Sequence, residues 1–110
     1  MRNLVLLASL LAGFVISSPV NSDAPTDAFN ECRGVVMVAT DIMTARQTGV
    51  SMMQMMEAAQ DMGEFKAGTE QLIRLAYDEP RMHTEAAQRR SVTEFANRML
   101  SLCMDVKDPR

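Results

Sequence analysis

The sequence predicts an all-α domain: four helices closed by one disulfide between the first and the last, preceded by a signal peptide. Three observations predict it. Apolar or small residues run unbroken from Leu4 to Ile16 behind Arg2. Apolar side chains then recur at steps of three and four through most of the remaining chain, which is the period of a helix and not of a strand. Two cysteines, Cys32 and Cys103, stand near the two ends of that periodic region.

The first 22 residues have the organisation of a secretory signal. The apolar run gives way to Ser17, Ser18, Pro19, Val20, Asn21 and Ser22, and Val20 and Ser22 fit the minus-three and minus-one positions of a cleavage before Asp23. The run of thirteen residues is short of the roughly 20 that cross a bilayer as a helix, so no permanent membrane anchor is expected. No cysteine follows the run directly, which argues against lipid attachment. Residues 23–110 are therefore expected to form a single helical domain in the periplasm. In that oxidising compartment a cysteine pair bonds, and a loop of about 70 residues closed this way stabilises a fold by about 4 kcal/mol in the chain-entropy model. A redox-active pair would want close spacing such as CxxC, which is missing here.

The helices follow in order. In the first, from about residue 27 to 48, Phe29, Cys32, Val36, Ala39, Ile42 with Met43, and Ala45 form one stripe, and Gly49 is the residue type that closes a helix. Ser51 and Gln54 then make a capping box, with Val50 placed to staple against Met55. The second helix is expected to run through Met52, Met55, Met56, Ala59 and Met62, weakening at Asp61 and Gly63. A third, beginning between Glu64 and Thr69, carries Leu72, Ile73 and Ala76 and must stop before Pro80. Thr84 caps the fourth, which reaches about Met104 with Val92, Phe95, Ala96, Met99 and Cys103 on one face. Val35 to Val38, the one β-branched run, is embedded in helix-period sequence.

The residues carry little sign of catalysis or cofactor chemistry. After removal of residues 1–22, ten basic side chains face fourteen acidic ones, a net charge of about minus four, and this excludes nucleic acid as an expected partner. The chain has one histidine, His83, beside the Pro80 turn, and an exposed loop position is its expected place. The five glycines form no phosphate-cradling pattern, and zinc ligands are too few. No cofactor is expected and the protein is read as non-enzymatic.

Methionine is the unusual component, with eleven in the chain. Thioethers are soft ligands, so Met53, Met56 and His83 are the candidate ligands if the protein binds Cu(I). Core packing accounts for Met52, Met55, Met56 and Met62 at helical spacing, because methionine fills gaps in small cores. The adjacent pairs Met52-Met53 and Met55-Met56 cannot all face one core. Met53 is expected to stand exposed, and pliable methionines on a surface suit a partner helix or a second copy of the chain.

Ala45-Arg46-Gln47-Thr48-Gly49-Val50-Ser51, then Ile73-Arg74-Leu75-Ala76-Tyr77-Asp78-Glu79-Pro80, and the late Cys103 together resemble a group of small exported, two-cysteine helical proteins of Gram-negative bacteria and their phages. The resemblance implies a periplasmic helical domain and brings no activity or catalytic residues. Tyr77 also has a packing account at the end of helix three, with Pro80 setting the turn, and Arg46 one as a partner of the carbonyls ending helix one.

The reading that follows is an exported, non-enzymatic protein-binding module: an inhibitor, an immunity-type factor or a phage-related envelope modulator. Its partner is another envelope protein or a second copy of itself. Met52, Met53 and Met56 are the expected contact surface, with Arg46 and Tyr77 as secondary contacts. The alternatives are the Cu(I) protein and a structural or chaperone-like envelope protein.

Overall fold

The computed structural model describes residues 26–109, and every regular element among them is helical. Helix α1 spans Asp27–Thr48, α2 Met52–Ala59, and α3 Lys66–Tyr77 after a 3₁₀ turn at Gly63–Phe65; α4 spans Glu85–Lys107. Four helices with Cys32 bonded to Cys103 across the first and last are the architecture that period and cysteine placement predict. The signal segment and its cleavage before Asp23 lie outside the described residues.

Local chemistry sets each boundary. The Thr26 hydroxyl accepts from the Phe29 amide at 3.1 Å and starts α1. At the other end Gly49 sits at φ 97°, its amide donates to the Arg46 carbonyl, and the Val50 amide donates to that of Ala45 at 2.9 Å. This paired closure satisfies two orphan carbonyls and needs a residue at ease in the left-handed region. A side chain there would also meet the Arg81 guanidinium, 3.3 Å from an added Cβ. The next helix follows at once: the Ser51 hydroxyl accepts from the Gln54 amide at 3.1 Å, and the Gln54 carboxamide accepts from the Ser51 amide at 3.3 Å. Helix α2 is shorter than its methionine spacing suggests. It stops at Ala59, where tighter three-residue bonds take over (Met62 amide to Ala59 carbonyl, 3.1 Å) and Gly63 turns left-handed at φ 58°. Thr84 caps α4 through the Ala87 amide at 3.1 Å.

Helices α1 and α4 form an antiparallel pair, and the rest is built on it. Gln47 meets Ser91 at one end, while Cys32 bonds Cys103 and Glu31 pairs with Lys107 at the other, so each helix advances as its partner falls back. Helix α3 packs against α1, and α2 packs against α3. The core lies where they converge: Ala39, Ile42 and Met43 of α1, Ala59 of α2, Ile73 and Ala76 of α3, Phe95 and Met99 of α4. Alanines at three of these positions let backbones approach, and Phe95, Met43 and Ile73 fill the space. Burying each of those large side chains contributes about 2 kcal/mol.

A polar hub closes the pair at the α2 end. Gln47 is 1% exposed, and its carboxamide nitrogen donates to the Pro80 carbonyl at 3.0 Å and reaches the Ser91 hydroxyl at 3.4 Å. Its carboxamide oxygen accepts from the Met82 amide at 2.7 Å, and its backbone carbonyl accepts from Arg81 Nε at 2.9 Å. Beside it, Arg46 Nε donates to the Glu79 carbonyl at 3.1 Å while its guanidinium lies 5.1 Å from the Tyr77 ring centre. The Tyr77 hydroxyl donates to the Val50 carbonyl at 2.7 Å. The loop between α3 and α4 is thereby tied to the last turn of α1. No buried side-chain polar atom among the described residues lacks a partner.

Two consequences are measurable. Gln47→Leu keeps the volume but strips the Met82 amide and the Pro80 carbonyl of their buried partner, so the folded state is expected to lose about 2–4 kcal/mol, read from the urea midpoint at unchanged slope. Burial pushes the Tyr77 hydroxyl above its ordinary value of 10.0, partly opposed by the Arg46 charge. The folded chain therefore holds that proton more tightly than the unfolded one: the contribution is complete below pH 10.0 and is lost as pH rises through and beyond it. Tyr77→Phe is expected to cost about 1 kcal/mol at neutral pH through the lost hydrogen bond, and the gap to the native protein should narrow above pH 10.0 in pH-dependent unfolding.

Candidate functional site

Helix α3 is about half the length of α1 and α4 and packs chiefly on α1, making little contact with α4. A trough is left between α3 and the C-terminal half of α4, with α1 as its floor. It encloses about 790 Å³. Helix α1 contributes Gly34, Val35 and Val38, α3 contributes Leu72 and Leu75, and α4 contributes Met99, Leu102, Cys103 and Val106. Met62 and Phe65 close it from the 3₁₀ segment. An added Cβ at Gly34 or Gly68 would meet nothing, so both glycines widen the trough without being required by backbone strain.

The lining is apolar to a degree that folding alone does not call for. Phe65 is 66% exposed, Leu102 50% and Val106 77%. All three border the same trough, a contiguous apolar patch of the kind that meets another protein, a membrane or a ligand. The charges lie at its rim: Glu31 and Glu64, with Lys107, whose ammonium sits 3.3 Å from the Glu31 carboxylate. A second, shallower cleft of about 310 Å³ lies between the end of α1 and the start of α4, lined by mixed polar residues such as Thr44, Gln88 and Arg89. No group of three or more His, Cys, Asp or Glu among the described residues is placed to hold a metal ion. His83 is exposed in the loop before α4 and does not border the trough. What the trough can do is bury apolar surface in a fixed shape.

The residues singled out in the sequence fall into three places. Cys32 and Cys103 are bonded, with Cys32 fully buried and Cys103 half-buried on the wall of the trough. Arg46 and Tyr77 belong to the polar hub and are engaged within the chain: Arg46 reaches the carbonyl of Glu79 across the loop, and Tyr77 reaches that of Val50. Met53 is 69% exposed and Met52 is exposed, whereas Met56 packs with Met55 against the core. Met53 and Met56 thus differ in burial although they stand three apart on one helix.

Sequence reasoning missed Gly34, Val35, Val38, Leu72, Leu75, Leu102 and Val106 as a site. A signal was present: Val35 and Val38, Leu72 and Leu75, and Leu102 and Val106 each stand three or four apart beside the core stripe of their helix. Each helix is apolar over a wider arc than one core needs.

Compared with family models, with curated proteins and with solved structures, the chain matches none.

Proposed function

We propose that the protein is an exported, non-enzymatic binding module of the periplasm that takes an amphipathic helix of another envelope protein into the trough between α1, α3 and α4. The observation that carries this reading is the trough itself, with Phe65, Leu102 and Val106 exposed around one apolar floor. Its wall on α4 runs from Met99 to Val106, which at 1.5 Å per residue is about 10 Å, or two helical turns. A partner helix laid along it would bury anchors at i, i+3 or i+4, and i+7. The trough is open along one side, which suits a helix better than a small molecule, since small ligands favour sites that enclose most of their surface.

Glu31 and Glu64 outnumber Lys107 at the rim, and Lys107 is already paired with Glu31. This favours a partner helix with basic residues flanking its apolar face. Export is supported by the signal-like segment at residues 1–22 together with the bonded cysteines. The resemblance to small two-cysteine helical proteins of Gram-negative bacteria and their phages fits the same compartment and suggests an inhibitor, an immunity-type factor or an envelope modulator. The outward Met52 and Met53 lie on α2, outside the trough, and form a secondary contact surface at most. The alternative Cu(I) reading would rest on Met53 and Met56, three apart on α2, with His83 exposed in the loop before α4.

Leu102→Glu tests the reading directly. Leu102 is half exposed, so a charge there is expected to leave the thermal midpoint within about 2 °C while partner capture from intact, briefly cross-linked envelopes falls at least tenfold. Met53→Asp serves as the control on α2 and should capture as the native protein does. Loss of capture in Met53→Asp with retention in Leu102→Glu would move the contact surface to the methionines and remove the trough from the function.

A further inference from the structure

The two ends of the α1–α4 pair are held by different means. At the hub end, Ala39, Ile42, Met43 and Gln47 of α1 and Ser91, Phe95, Ala96 and Met99 of α4 are all buried. Beyond Met99 no residue of α4 is buried, and before Ala39 the only buried residue of α1 is Cys32. The last two turns of α4, in which Leu100 and Met104 are only half-buried, are therefore secured to α1 chiefly by the disulfide, with the exposed Glu31–Lys107 pair at 3.3 Å beside it. An exposed pair of this kind contributes little by itself. Those same two turns supply Leu102, Cys103 and Val106 to the trough.

We propose that the Cys32–Cys103 bond is a redox gate for the trough: its reduction frees α4 beyond about residue 100 from α1, dismantles the docking wall, and leaves the hub end folded. The inference rests on the trough being the docking site. Cys32 is fully buried and Cys103 is half-buried on the trough wall, so a reductant of the dithiol class reaches the bond at Cys103. One thiolate of the dithiol attacks Cys103 Sγ and forms a mixed disulfide, and the bond to Cys32 Sγ breaks with the electron pair leaving on Cys32, which takes up a proton. The second thiol of the reductant displaces Cys103, giving two cysteine thiols and the cyclic disulfide of the reductant, which has supplied both electrons.

The gate confines docking to a compartment in which the cysteines are oxidised. Before export the wall is unformed, and the apolar residues of α4 are presented to a partner helix only after the bond closes. The coupling is reciprocal at equilibrium: a helix seated in the trough disfavours reduction of the bond by the same factor by which reduction weakens its binding.

Hydrogen exchange read by mass spectrometry tests the gate on the exported protein, oxidised and after treatment with dithiothreitol, with Cys32→Ala/Cys103→Ala as a reductant-free counterpart. The expected result is graded: amides of residues 100–108 and 29–36 exchange at least about tenfold faster in both the reduced protein and the variant, while those of residues 42–48 and 90–98 keep most of their protection. Unchanged exchange at 100–108 would overturn the gate, and so would a uniform loss across all four segments, because the bond would then hold the whole fold and not one end of it. If Leu102→Glu leaves capture intact, the docking reading fails while the exchange pattern is unaffected, so the two fail separately.

Discussion

The antiparallel contact between α1 and α4 is the constraint on which the rest of this molecule depends. It spans sixteen residue steps on each helix, from the Gln47–Ser91 contact to the Glu31–Lys107 pair, or about 24 Å at the helical rise. A domain this small buries too little surface to be secure by core packing alone. The chain responds by fastening the pair at both ends, with a buried carboxamide network at one and a covalent bond at the other. Between the fastenings lie Ala39, Ile42, Met43, Phe95 and Met99, against which α3 brings Ile73 and Ala76. Because α3 is short and sides with α1, the second half of α4 packs chiefly on α1. The trough is the geometric remainder of that arrangement.

Two sequence segments, residues 45–51 and 73–80, meet in space. Arg46, Gln47, Gly49 and Val50 come from the end of α1; Tyr77, Glu79 and Pro80 come from the end of α3 and its loop. Each of these residues has a partner in the other segment or in its immediate continuation: Arg46 with Glu79, Gln47 with Pro80, Tyr77 with Val50, and Gly49 against Arg81. A short motif pair of this kind is a device for fixing a turn between helices. Arg46 and Tyr77 thus have an intramolecular role that needs no ligand.

Much of the fold is legible in the sequence because its signals are local. The Ser51-Gln54 box, the Gly49 closure and the Thr84 cap each need only residues within four positions, and the helical period identified Cys32, Ala39, Ile42, Phe95 and Met99 as inward-facing. What escaped is what depends on the third dimension. Gln47 is polar and adjoins an exposed Thr48, so nothing in its neighbours distinguishes it from a solvated residue; it is buried because loop carbonyls and amides some 35 positions away converge on it. Met62 lies at helical spacing from Ala59, yet the bonds tighten and Gly63 reverses the backbone. The trough was hidden for a related reason. Val35, Leu72 and Leu102 look like ordinary core residues in their own helices, and only the failure of α3 to reach α4 leaves them facing an open space. The methionines of α2 divide: Met55 and Met56 pack against the core, and Met52 and Met53 are exposed.

A stable hub and an apolar trough walled by a disulfide-tethered helix end divide the labour within one small domain. The hub and the core fasten one end of the helix pair, and the tethered end carries the exposed apolar side chains of Leu102 and Val106. The most direct test of the trough as the docking surface is site-specific photo-cross-linking in intact envelopes, with a benzophenone amino acid placed in turn at the positions of Leu102 and Met53. A cross-link from position 102 to an apolar helical segment of one envelope protein, with none from position 53, is the expected result. Cross-links from position 53 alone, or from neither position, would contradict it.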